Sequence, residues 1–165
     1  IPPGGRAVIV SGNFPPIGPF NITNSFRANI CSGYLEAWPN LQFYPTLSLS
    51  CPRPEDEPGV ASFPDDCYNF INDKIGVCHT PEFEVRDDIS YIDNTVDKLT
   101  SQCRDFIKTH FNYNGCVSNH LADPDFYDDE WRIFLQHPGQ LWQDNRETIA
   151  LFDNAGRLVA TTSYD

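Results

Sequence analysis

From Glu130 to Tyr164 the chain alternates apolar and polar residues with period two in three short runs, separated by turn-forming residues. Runs of that kind match a half-buried β-strand and do not make a helical stripe. The pattern predicts strands over 130–135, 147–153 and 157–164, consecutive and antiparallel. Asp153 to Gly156 supplies the tight reversal, with Gly156 at a left-handed position after a type I turn. Ile149 and Leu151 share one face of the middle strand, while Leu158, Ala160, Thr162 and Tyr164 share one face of the last. Ile149, Leu151, Leu158 and Tyr164 are therefore expected to build the core of the sheet. At the other end, Pro2, Pro3, Gly4 and Gly5 make a turn before a fourth strand over 6–10.

Two blocks of this pattern resemble a known family. The series Trp142, Arg146-Glu-Thr, Leu151-Phe-Asp-x-x-Gly156 and Tyr164 resembles the closing strands of the lamin-tail domain. Ile1-Pro-Pro-Gly-Gly, running into the strand that ends at Val10, is similar to the family's mid-domain segment of proline-glycine turn and strand. The lamin-tail domain is an immunoglobulin-like β-sandwich found in lamins and in many bacterial cell-surface proteins. At usual strand lengths the two blocks cover roughly a third of the chain. Two departures stand out: the family's opening strands are absent, and about 120 residues separate the blocks, far beyond an ordinary connection. The resemblance implies a non-enzymatic extracellular or cell-surface module for interaction or tethering, with the insertion presenting the variable binding surface.

Four strands fall short of the roughly seven that such a sandwich needs. Either the missing strands come from upstream sequence or another chain by strand complementation, or disulfide-bonded helices cover the open sheet. The second reading is preferred. It gives one α+β domain over 1–165, with antiparallel lamin-tail-like strands in 1–12 and 130–165 and an irregular, helical, cysteine-rich insertion over 13–129. The first implies self-assembly by strand sharing, the sharper functional hypothesis of the two.

Composition narrows the setting. A chain of 165 residues with 12 Phe, 7 Tyr and 3 Trp can bury a sizeable single core. The net charge of −12 repels DNA, RNA and anionic lipid, which disfavours a nucleic-acid partner. A basic protein, a surface glycan or a divalent cation suits it better. No apolar run is long enough to span a bilayer, so membrane insertion is not expected. The chain has no Met, so Ile1 is expected to be the start of a processed form or of a piece of a longer protein.

The cysteines Cys31, Cys51, Cys67, Cys78, Cys103 and Cys116 all lie in the insertion. An even count in an acidic, proline-rich chain points to three disulfides and an oxidising, extracellular location. Cys116-x3-His120, with Cys103 and His110 nearby, has zinc-like spacing, but no Cys-x2-Cys pair accompanies it, and plain helix residues are the preferred reading of the histidines. Two helices are expected. One starts after Pro64, Asp65 and Asp66 and turns Cys67, Phe70, Ile71 and Ile75 inward; the other is capped by Asn94, with Val96, Leu99, Cys103, Phe106, Ile107 and Phe111 as its stripe. The pairing Cys103–Cys116, with Cys31–Cys51 and Cys67–Cys78, is preferred on chain-reversal length. The competing arrangement staples the helices to each other, Cys67 to Cys103 and Cys78 to Cys116.

Asn13 to Pro54 is broken by Pro15, Pro16, Pro19, Pro39 and Pro45 and is expected to wrap the surface as irregular chain, with one short edge strand within 41–50. Its aromatics, Phe14, Phe20, Tyr34, Trp38, Phe43 and Tyr44, are expected mainly to anchor that wrap. Trp38, Phe43 and Tyr44 are also the candidate ligand-binding face of an alternative function, a carbohydrate- or calcium-dependent adhesion domain. Asn21-Ile-Thr23 is a glycosylation sequon. No nucleophile elbow, zincin motif, P-loop or dinucleotide fingerprint occurs, so no catalytic residues are assigned. Asp123, Asp125, Asp128, Asp129 and Glu130 are a candidate Ca²⁺ site, without the glycine and distal glutamate of an EF-hand, and a solvated acidic loop is the preferred reading. No other cofactor is expected.

Overall fold

The computed structural model describes residues 1, 3–14, 20, 22, 25–39, 41–81, 99–137, 139, 141–143 and 145–164. Strand β3 (Tyr127–Phe134) is the centre of a three-stranded sheet, with β1 (Arg6–Val10) parallel on one side and β2 (Ser25–Asn29) antiparallel on the other. The expectation of a wholly antiparallel sheet is thus corrected, because β1 and β3 run the same way. A second correction concerns β2, which lies inside the stretch expected to be irregular. Its Phe26 and Ala28 alternate inward and are buried, while Arg27 bonds the Asp129 carboxylate at 3.0 Å and lies over the Tyr127 ring. The expected edge strand within 41–50 does not form; that segment is irregular chain, bent at Tyr44 and Pro45, without a ladder.

The helical part forms from local signals. Helix α2 (Asp65–Lys74) begins after Pro64, with Asp65 and Asp66 complementing its N-terminal dipole, and buries Cys67 and Ile71 as expected. Helix α3 (Ser101–His110) is capped by Thr100, whose hydroxyl accepts from the Cys103 amide at 3.2 Å. The expected cap Asn94 and Val96 lie outside the described residues. Helix α4 (Tyr113–His120) is capped by Asn112, which accepts from the Gly115 amide at 2.9 Å, and it places Cys116 inside a helix instead of on a return loop. A single turn, α1 (Gly33–Glu36), follows β2.

Two apolar clusters result. Phe20, Phe26, Tyr34, Leu35, Phe43, Leu47, Tyr113 and Phe126 fill one, between the three-stranded sheet, α1 and α4. Val60, Ile71, Ile75, Leu99, Ile107 and Phe111 fill the other, between α2 and α3. The disulfides are Cys31–Cys116, Cys51–Cys78 and Cys67–Cys103. The preferred pairing is therefore wrong in all three bonds, and of the competing one only Cys67–Cys103 occurs. Cys67 and Cys103 sit on the buried faces of two helices that pack together, so they meet. Cys116 faces the other cluster, where Cys31 lies, and Cys78 reaches Cys51 against Gly33 of α1.

The remaining strands, β4 (Glu147–Phe152) and β5 (Leu158–Tyr164), pair antiparallel with Ile149 opposite Thr162 and Leu151 opposite Ala160. Their turn is the expected one. Asp153 accepts through its carboxylate from the Ala155 and Arg157 amides, both at 2.9 Å, and Gly156 takes a φ of +74°. What fails is the expected sheet core: Leu151 and Leu158 are exposed, and neither apolar cluster contains any residue beyond Phe134. The chain is thus α+β, with two small sheets and three disulfides.

Candidate functional site

The hairpin β4–β5 is the least self-sufficient part of the described structure. Leu151, Phe152, Leu158 and Val159 expose 45%, 57%, 57% and 61% of their surfaces. No charged residue and no proline occurs in 148–152 or 158–164, so neither charge nor proline guards these stretches against further strand pairing; Glu147 opens β4, and the register shifts between Leu151 and Phe152. An isolated two-stranded hairpin is at best marginally stable in water, and a third strand or a packed face is what stabilises it. The side chains that reinforce this one are polar: Thr148 bonds Ser163 at 3.0 Å, Arg157 bonds Asp153 at 2.7 Å, and the Tyr164 hydroxyl donates to the Gln143 carbonyl and to Glu147.

A second site lies on the three-stranded sheet. Residues alternate across a strand, so Asp128, Glu130 and Arg132 of β3 share one face. Arg132 is 1% exposed and donates to Glu130 at 2.5 Å and to the carbonyls of Pro45 and Thr46 at 2.5 and 3.3 Å. Arg6, opposite Glu130 in the β1–β3 register, closes on the same carboxylate. Burial alone would raise the Glu130 carboxyl, but the hydrogen bonds and charges of Arg6 and Arg132 outweigh it and hold the group below its usual range. Asp128 moves the other way, raised by desolvation and by the charge of Glu130, against an opposing pull from Arg27. An open cleft of about 520 Å³ lies over these residues, lined also by Ala28, Asn29, Ile30, Thr46, Leu47, Ser48 and Ser50.

A buried polar network holds α4 against the turn at 54–57. His120 contacts Asp123 through Nδ1 at 2.7 Å and Glu57 through Nε2 at 3.1 Å, and Asn119 donates to Glu57 at 2.5 Å. A ring with carboxylates on both nitrogens bonds both only as imidazolium. Burial disfavours that charge, but the hydrogen bonds and charges of Asp123 and Glu57 outweigh it and raise the His120 pKa.

The residues singled out from sequence are dispersed. Phe43 is buried against Phe26, Trp38 packs edge-on against Phe20 at 4.9 Å, and Tyr44 alone of the three is well exposed, so they form no common ligand face. Of the acidic five, Asp123 bonds His120, Asp129 pairs with Arg27, Glu130 is held by two arginines, and Asp125 lies in the turn before β3. Asp128 and Asp129 point to opposite faces of β3. Among the described residues, no three His, Cys, Asp or Glu side chains converge as a metal site, which corrects the candidate Ca²⁺ cluster. Its physical cause is that β3 starts at Tyr127, three residues earlier than expected, and a strand splays neighbouring carboxylates apart. Arg6, Arg132 and Glu57 were not singled out in the sequence. The i, i+2 spacing of Asp128, Glu130 and Arg132 would have revealed one face had the strand been started at Tyr127.

All six cysteines are bridged, as in proteins of oxidising compartments such as the extracellular space. No helix among the described residues is long and apolar enough to cross a membrane. No family model, curated protein or solved structure matches this chain.

Proposed function

We propose that this chain is a non-enzymatic extracellular interaction module that binds by β-strand addition at the β4–β5 hairpin. The observation that carries this reading is the hairpin itself: no charge over 148–152 and 158–164 and four exposed large apolar side chains, outside both apolar clusters. A β-segment from outside these residues would pair with a free edge through main-chain hydrogen bonds and cover Leu151, Phe152, Leu158 or Val159. The lamin-tail resemblance supports the same reading at finer grain. Sheets of three and two strands are an incomplete set for an immunoglobulin-like sandwich, and added strands would complete it. The disulfide-linked helical part is then the rigid body that carries the hairpin, and the setting is a cell surface or secreted assembly.

The test is site-specific photo-crosslinking in the native setting. A benzophenone side chain in place of Val159 should yield covalent adducts with a polypeptide β-segment, either of a partner or of the protein's own flanking sequence. The same group in place of Tyr68, also exposed but on α2, should not. Equal crosslinking at both positions, or none at position 159, refutes the proposal.

A further inference from the structure

The cleft on the three-stranded sheet carries a separate inference. Its acidity is not the argument, because two of the three neighbouring carboxylates are already neutralised: Asp129 pairs with Arg27, and Glu130 with Arg6 and Arg132. The Asn29 amide is also engaged, donating to the Tyr113 hydroxyl at 3.3 Å and accepting from the Cys31 amide at 2.9 Å. Asp128 is different. It is half-buried at the cleft wall, and among the described residues no donor bonds its carboxylate. Arg27 is near it but spends its guanidinium on the Asp128 carbonyl and the Asp129 carboxylate; a partly desolvated carboxylate with no cation bonded to it is costly, and a cation entering beside it relieves that cost.

The facing wall suits the rest of such a ligand. Thr46, Ser48 and Ser50 bring hydroxyl oxygens that can accept from an ammonium, with Ser48 already donating to Ser50 at 2.7 Å. Leu47, Ala28 and Ile30 offer apolar surface between these groups. A short methylene stem ending in an ammonium matches a lining of that mixture; the one cation of the lining, Arg6, is neutralised by Glu130, and the chain's net charge of −12 draws cations toward the cleft. We propose that the cleft binds an alkylammonium group, with Asp128 as its counter-ion and the 46–50 hydroxyls as further acceptors. Two sources supply that chemistry, a lysine side chain of a partner protein and a free polyamine.

The experiment is an NMR titration of the oxidised chain at about 0.15 M salt, where loose surface attraction is screened. The probes are Nα-acetyl-lysine methylamide, spermidine, and Nα-acetyl-norleucine methylamide, which keeps the stem and lacks the charge. Saturable amide shifts are expected at 46–50 and 128–130 with the charged probes and not with the norleucine compound. Asp128→Asn should weaken binding at least about tenfold, the loss of one charged hydrogen bond, and Ser50→Ala by less. The charged probe whose affinity depends more on Asp128 identifies the source. Because no donor among the described residues bonds the Asp128 side chain, Asp128→Asn should leave all other amide signals in place, which separates lost binding from lost fold. No saturation up to about 10 mM, equal binding of the norleucine compound, or undiminished binding to Asp128→Asn overturns the proposal.

Discussion

Replacing Gly33 by alanine tests the packing of the disulfide framework most directly. Gly33 opens α1 beneath the Cys51–Cys78 bridge, and a Cβ there would lie 2.1 Å from Cys78 Sγ, 2.8 Å from Cys51 Sγ and 3.1 Å from Leu49 Cα. Carbon contacts are favourable only near about 3.5–4.0 Å. The two sulfurs are bonded to each other and buried, so neither swings aside like the end of a flexible side chain. Helix propensity argues for the opposite sign, since alanine is better than glycine by about 0.8–1.0 kcal/mol in a helix interior. Overpacking a tight site costs about 1–3 kcal/mol, and an overlap this deep belongs at the upper limit, so Gly33→Ala should lose about 3 kcal/mol. For a chain of this size that lowers Tm by about 6–12 °C. Gly76→Ala is the control: its nearest atom is His79 Cβ at 3.5 Å, an ordinary contact, and its stability should stay within about 0.5 kcal/mol of the parent. Thermal melts and non-reducing peptide mapping of both oxidised proteins decide the matter. A Gly33→Ala protein with the parental Tm and the same three bridges would refute the placement of Cys51–Cys78 over α1.

Stability should also depend on pH through His120. Its folded pKa is raised, so its contribution is fully present below about pH 6.5, the free-histidine value, and fades as pH rises through the folded value. Denaturant midpoints across that range should show this slope, and His120→Gln should flatten it. Arg132→Met leaves the Pro45 and Thr46 carbonyls without their donor and Glu130 with Arg6 alone. Breaking a buried ion pair from one side costs about 3–5 kcal/mol, and urea unfolding should show Arg132→Lys recovering part of it. On the hairpin, Leu158→Lys and Val159→Lys should each change the stability of the isolated chain by less than about 0.5 kcal/mol. A larger loss in thermal melts would mean that these side chains are covered within the chain and would sink the strand-addition reading.

The turn at Asp153–Gly156, the strand positions 6–10 and 147–152, and the inward faces of α2 and α3 were all legible from the residues. These depend on neighbours a few positions apart: a period of two, a carboxylate that bonds amides two and four residues on, a proline-acid helix start. Strand β2 was not legible, because Ser25-Phe-Arg-Ala-Asn29 carries too little apolar surface to stand out and forms only beside β3. The acidic run around Asp128 looked like a loop for a related reason. Its strand character comes from Arg6, Arg27 and Arg132, which arrive from distant sequence or from farther along the strand.

By itself the sequence determined an α+β chain with paired cysteines, a closing hairpin and too few strands for a full sandwich. Tertiary structure alone decided which sulfurs meet, since any of fifteen pairings is consistent with six cysteines and the choice falls to which helix faces pack. It also decided that β1 runs parallel to β3, that the five acids separate instead of converging, and that the hairpin's apolar side chains stay uncovered. Alternation along a strand states which residues share a face, and only the packing of distant segments states whether anything lies against it.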